Sequence, residues 1–171
     1  MLYSIPAVFP KTKGGAFTLV EILVVISIIG LLAGLGFPAI QGAISAGKKA
    51  EVAAMAESIK TAVNAYYAEY MTYPSNSSTT DLNFMNTLLT NNPRGISFLE
   101  VPPKFTNSQG IVTPAGFYKG NVRSNFSINI DTQGLGILTN RVGTRTYSNS
   151  ASVAVWVPDP KDASKPVGTF K

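Results

Sequence analysis

From Phe17 to Gly47 the chain reads FTLVEILVVISIIGLLAGLGFPAIQGAISAG, thirty-one residues in which Glu21 is the only charge. A helix needs about 20 apolar residues to cross a bilayer, so this run is long enough to do so. It also exceeds the roughly 7 to 15 residue core of a cleavable secretory signal. Glu21 argues against a plain anchor. A carboxylate deep in lipid costs roughly 2.5 to 3.5 kcal/mol on insertion scales, and a charge in that position needs a partner.

Residues 1–16, MLYSIPAVFPKTKGGA, carry two prolines, two lysines and a closing Gly-Gly-Ala, a composition that disfavours continuous helix and leaves an accessible junction. Positive charge does not orient the span, because Lys11 and Lys13 on one flank are balanced by Lys48 and Lys49 on the other.

The string KGGAFTLVEILVVISIIGLLAGLGFP resembles the prepilin cleavage and methylation signature of type IV pilins and type II secretion pseudopilins. The resemblance covers about the first third of the chain. It implies a leader over 1–16, cleavage between Ala16 and Phe17 by prepilin peptidase on the cytosolic side, N-methylation of Phe17, and an assembly role for Glu21, four positions beyond the new terminus. Ala16 stands where the family most often has glycine. Gly30 and Pro38 fall where many pilins interrupt the apolar helix. The physical content is a charge pair: the α-amine released by cleavage, with an ordinary pKa of about 7.7 to 8.0, can neutralise the Glu21 carboxylate of a neighbouring subunit and so select axial register. The resemblance also implies a single-pass inner-membrane protein with a periplasmic head, an assembly platform and lipid as partners, and polymerisation with its own or related subunits.

Residues 48–73, KKAEVAAMAESIKTAVNAYYAEYMTY, place Val52, Met55, Ile59, Ala62, Val63, Tyr66 and Tyr70 at spacings of three and four, with Glu51, Glu57, Lys60, Asn64 and Glu69 opposite. This pattern predicts an amphipathic helix ended by Tyr73-Pro74. If it continues from the apolar run, residues 18–72 form a spine of about 80 Å. Gly30, Gly34, Gly36 and Pro38 mark either a compliant stretch or a surface for close helix packing in lipid. The tyrosines 66, 67, 70 and 73 suit core packing better than a ligand platform.

Residues 74–171 are expected to form an α+β head. Asp81 caps a short helix in LNFMNTLLTNN, and strands are expected at about 116–122, 124–131, 135–139 and 151–157. An antiparallel sheet on the second half of the spine would bury Tyr66, Phe126 and Trp156.

The chain has no cysteine and no histidine, which excludes disulfides, thiol chemistry, the Ser-His-Asp arrangement and the usual transition-metal ligands. The net charge of +5 is scattered, so nucleic-acid binding is not expected. Asp131, Asp159 and Asp162 are similar in placement to the calcium-binding end of major pseudopilins, but three acids are few for a cation that takes six to eight oxygens, and turn formation is the favoured reading. Asp131-Thr-Gln-Gly-Leu-Gly and Asn140-Arg-Val-Gly-Thr-Arg lack the lysine and the context of a phosphate loop and read as hairpin turns. No acid-base cluster emerges, so no catalysis is expected. Three classes remain: a filament subunit, a monomeric membrane-anchored binding module and a tethered enzyme. The first is favoured, and within it the missing disulfide leans toward a type II secretion pseudopilin over a type IV pilin.

Overall fold

A single helix, α1, spans Leu19–Tyr70 in the computed structural model, which describes residues 17–75 and 77–170, the side chain of Pro38 excepted. The chain divides into two compact units between Gly42 and Ala43. In the first unit α1 is apolar and exposed, with Leu35 and Leu19 showing 73% and 80% of their surface. It is the one helix among the described residues long and apolar enough to cross a membrane.

In the second unit the helix is amphipathic, as its spacing predicts. Val52, Ile59 and Val63 are fully buried and Met55, Ala62 and Tyr66 nearly so, while Glu57, Asn64 and Glu69 face solvent. Each large apolar side chain withdrawn from water contributes about 1.5 to 3 kcal/mol. The helix stops at Tyr70, earlier than Tyr73-Pro74 would require. Met71 adopts a left-handed backbone (φ 53°) and its N–H donates to the Tyr67 carbonyl at 2.8 Å, closing the last turn before the proline can act.

Helix α2 (Leu82–Leu89) begins as expected at Asp81, whose carboxylate accepts the Phe84 N–H at 2.8 Å, and it buries Phe84, Met85 and Leu88. The strands are short: β1 (Thr106–Asn107), β2 (Gly110–Ile111), β3 (Ser127–Ile130), β4 (Leu138–Val142), β5 (Arg145–Asn149), β6 (Val153–Pro158) and β7 (Pro166–Gly168). They form a three-stranded antiparallel sheet in the order β3-β6-β7 and two antiparallel pairs, β1-β2 and β4-β5. The architecture is α+β.

Strand β6 organises the unit. Val153, Val155 and Val157 point into the core that α1 and α2 share, whereas Ala154 and Trp156 point to the other face and pack with Leu138 and Val142 of the β4-β5 hairpin. Burial on both faces explains why this strand is apolar without alternation. Tyr66, Phe126 and Trp156 are all buried, as expected, but in two clusters, because the register of Trp156 opposite Ser127 turns it away from α1.

Several strand bounds also differ. Residues 116–122 form no strand: Gly116, Gly120 and Asn121 have φ of 72°, 73° and 55°, and 119–121 make a 3-10 turn. The strand expected at 135–139 begins only at Leu138, because 131–136 are folded into a turn with Gly134 and Gly136 in the left-handed region. That turn links strands of different sheets and is not a hairpin. The 140–145 segment does turn as a hairpin, with Val142 opposite Arg145. Strand β5, Arg-Thr-Tyr-Ser-Asn, is too polar to show in an apolar pattern.

Two lysines tie the start of the amphipathic segment to the loops. Lys48 Nζ donates to the Gly116 carbonyl at 2.9 Å, and Lys49 Nζ lies 2.5 Å from Asp159 Oδ2. Tyr118 reinforces this corner by donating its hydroxyl to the Pro158 carbonyl at 2.8 Å; burial first, and then the Asp159 charge, push its pKa up to about 12.

Candidate assembly site

Leu19 opens α1 because Thr18 and Glu21 close its first turn on each other. The Thr18 N–H and hydroxyl each donate to Glu21 Oε2 at 2.8 Å, and the Glu21 N–H donates back to Thr18 Oγ1 at 3.3 Å. This is a capping box, and it serves backbone donors that an apolar surrounding would leave unpaired. Sequence reasoning found Glu21 but missed Thr18; the signal was present as Thr-x-x-Glu ahead of an apolar run. Both short bonds use Oε2, so Oε1 has no partner among the described residues. Among the described residues, one oxygen caps the helix and the other is left for an incoming donor.

Phe17 is 81% exposed, next to this cap. Phe17, Leu19, Ile22, Leu23 and Ile26 line a shallow apolar hollow on the same turns. Ala16, the other half of the expected cleavage bond, lies outside the described residues. Helix α1 passes through Gly30, Gly34, Gly36 and position 38 without interruption. A Cβ added at any of the three glycines would touch nothing within 4 Å, so their backbone presents an open surface to an approaching helix. Proline 38 has no N–H to offer the Gly34 carbonyl, which leaves one rung of the ladder unmade.

The three aspartates considered for calcium are not gathered. Ile130 pairs with Val153 at the start of β6, which puts Asp131 at one end of that strand, whereas Asp159 and Asp162 follow its other end. Asp131 accepts the Gly136 N–H at 2.6 Å and the Gln133 N–H at 3.3 Å. Burial opposes ionisation of Asp159, but its hydrogen bonds to Lys49 and to the Lys161 N–H outweigh that and hold its pKa below the usual carboxylate value. Asp162 is lowered chiefly by the Ser164 hydroxyl, 2.6 Å away, and then by the Ser164 N–H. All three serve the turns they sit in. No group of three or more acidic side chains suited to a metal occurs among the described residues.

The tyrosines separate into two pairs. Tyr66 and Tyr70 pack with Phe98 in the core, as expected, while Tyr67 and Tyr73 stack on each other at the surface with centroids 4.5 Å apart.

The chain matches the family model described as the prokaryotic N-terminal methylation motif over residues 12–37, which contain Phe17, Glu21 and Gly30. It is 38% identical over 68 residues to a fimbrial protein of Neisseria meningitidis serogroup A, covering 40% of this chain and 40% of that protein. It is 36% identical over 68 residues to the type IV major pilin protein PilE1 of Neisseria gonorrhoeae, covering 40% and 41%. A third relative, the fimbrial protein EcpC of Eikenella corrodens, is 36% identical over 62 residues, covering 36% and 40%. The chain thus spans about two fifths of the length of the curated relatives it matches. No solved structure matches it. The chain has a methylation motif leading into an exposed apolar helix with an α+β fold behind it, and over about two fifths of its length it is similar to type IV pilins and fimbrial proteins.

Proposed function

We propose that this chain is a structural subunit of a type IV pilin-like filament, held in the membrane by residues 17–47 and polymerised through the same helix. The observation that carries the reading is Glu21: a lone carboxylate on an exposed apolar helix, four residues beyond Phe17, with Oε1 unpartnered among the described residues. Prepilin peptidase cleaves between Ala16 and Phe17, and the Phe17 amine, N-methylated, of one subunit pairs with Oε1 of the next. In an apolar bundle both charges are costly alone, so the pair acts mainly by penalising wrong registers. The glycines and Pro38 let the apolar half adjust as a subunit leaves the bilayer for the filament. No catalytic role is assigned, because the acids of residues 43–170 serve turns, caps and ion pairs, apart from Glu100, which is exposed at the surface.

Within the filament class we place the chain in a type IV pilus, since the relatives described above are pilins and fimbrial proteins. The second reading, a subunit of a type II secretion pseudopilus, is favoured by the absence of cysteine. Deleting the assembly ATPase of each system in turn separates the two: loss of surface filaments supports the first, and loss of protein export with no surface filament supports the second.

Glu21→Gln tests the assembly site itself. The amide retains an oxygen for the Thr18 cap but loses the charge. The expected result is a fall of about tenfold or more in sheared filament, with the subunit retained in membranes and its N-terminus starting at methylated Phe17 by mass spectrometry. Thr18→Val, which removes the hydroxyl of the cap and keeps the charge, should assemble. Wild-type filament yield from Glu21→Gln, or a mature N-terminus at Met1, overturns the proposal.

A further inference from the structure

We propose that the groove between the end of α1 and the turn after β3 binds a cationic group, an ammonium or a guanidinium. The groove has a volume of about 560 Å³ and is lined by Tyr67, Tyr73, Asp131, Thr132, Gln133 and Ser152, with Met71 at its rim. Tyr67 is 40% exposed and Met71 is 77% exposed, although Tyr66 of the same helical turns is buried in the core, and Tyr73, like Tyr70, is partly buried against it. The left-handed backbone at Met71 turns the chain so that Tyr73 comes back onto Tyr67, and the two rings lie 24° from parallel.

The charge at this groove has one sign. Among the described residues, Asp131 is the only carboxylate that lines the groove, no lysine or arginine lines it, and Asp131 makes no ion pair. Backbone N–H groups of its own turn, those of Gly136 and Gln133 in hydrogen bonds and those of Leu135 and Gly134 beside them, favour its charged form and hold it ionised at neutral pH. A carboxylate beside the electron-rich faces of stacked phenols attracts cations twice over, by charge and by the ring quadrupole. The hydroxyls and amide of Thr132, Ser152 and Gln133 supply acceptors for the N–H groups of a guanidinium or primary ammonium. The chemistry is the same for a free amine and for the side chain of a basic peptide. It is independent of how the apolar helix assembles.

The test uses the full chain in detergent micelles, labelled with 13C on the tyrosine rings. Choline represents a free quaternary ammonium, N-acetyl-arginine amide a peptide side chain, and 3,3-dimethyl-1-butanol the neutral isostere of choline. Choline or the arginine amide is expected to shift the Tyr67 and Tyr73 resonances with a dissociation constant on the order of millimolar. The neutral isostere should bind about tenfold or more weakly, and Asp131→Asn and Tyr67→Leu should each weaken binding by about 2- to 30-fold while the Tyr66 and Tyr70 resonances stay in place. A response to choline alone assigns the site to free ammonium ligands, and a response to the arginine amide alone assigns it to basic peptides. Equal binding of the neutral isostere, binding of glucose without binding of either cation, or no shift at about 100 mM cation overturns the proposal.

Discussion

Asp159→Asn, combined with Lys49→Met in a double-mutant cycle, measures how strongly the β6-β7 turn is tied to α1. The Asp159 side chain is 12% exposed and the Lys49 side chain 31%, with 2.5 Å between Nζ and Oδ2. Exposed ion pairs contribute about 0.2 to 1 kcal/mol, and hydrogen bonds to charged groups about 1.5 to 3 kcal/mol. A pair open to water on the lysine side falls between them, so the coupling energy should be about 1 to 2 kcal/mol at pH 7. Asparagine keeps the Oδ1 acceptor for the Lys161 N–H and removes both the charge and the Oδ2 acceptor that faces the ammonium, so the cycle reads the charged hydrogen bond as a whole. The pH dependence follows from linkage. The folded-state pKa of Asp159 is depressed below 3.8, so this stabilisation is present above that value and is lost as pH falls through the lower folded value. Thermal unfolding of the full chain in micelles, followed by the fluorescence of buried Trp156, provides the assay. A coupling energy under about 0.3 kcal/mol at pH 7, or one that does not decline at all as the pH is lowered below 3.8, refutes the reasoning.

Further outcomes can be read by the same assay. Thr80→Val should cost about 1 to 3 kcal/mol, because the buried Thr80 hydroxyl donates to the Ile111 carbonyl at 2.7 Å and accepts the Phe126 N–H at 3.0 Å, and valine leaves the Phe126 N–H unpaired and the Ile111 carbonyl with only the longer bond from Asn125 Nδ2 at 3.3 Å. Gly110→Ala should destabilise more than Thr80→Val, since Gly110 has φ 115° and an added Cβ would lie 2.3 Å from the Asp81 carbonyl carbon; a melting temperature equal to wild type would show that β2 and α2 separate easily. Calcium at about 1 mM should leave the melting temperature unchanged, because Asp131 sits at the opposite end of β6 from Asp159 and Asp162; a rise of several degrees would mean that the acids rearrange around the ion.

Local signals on the chain carried the helix and the motif. The apolar run, the lone Glu21 and the three-and-four spacing from Val52 to Tyr66 each lie within one element, where side-chain period alone tells which face is apolar. The Asp81 cap and the turn at 140–145 are equally local, made by residues a few positions apart. The capping box at Thr18 was legible by the same rule and was overlooked.

What only the tertiary structure decided depends on partners far along the chain. The run Ala-Val-Trp-Val could face one cluster or two, and it is the β4-β5 hairpin, itself polar on its outer strand, that covers Trp156 on the side away from α1. Four tyrosines at helical spacing look alike in sequence, yet Phe98 draws two of them inward while the left-handed turn at Met71 stacks the other two beside Asp131. Lys49 and Asp159 are 110 positions apart, and no periodicity predicts their meeting. Periodicity fixes which side of an element avoids water, but the neighbour that covers that side is chosen by chain closure and packing over the whole unit.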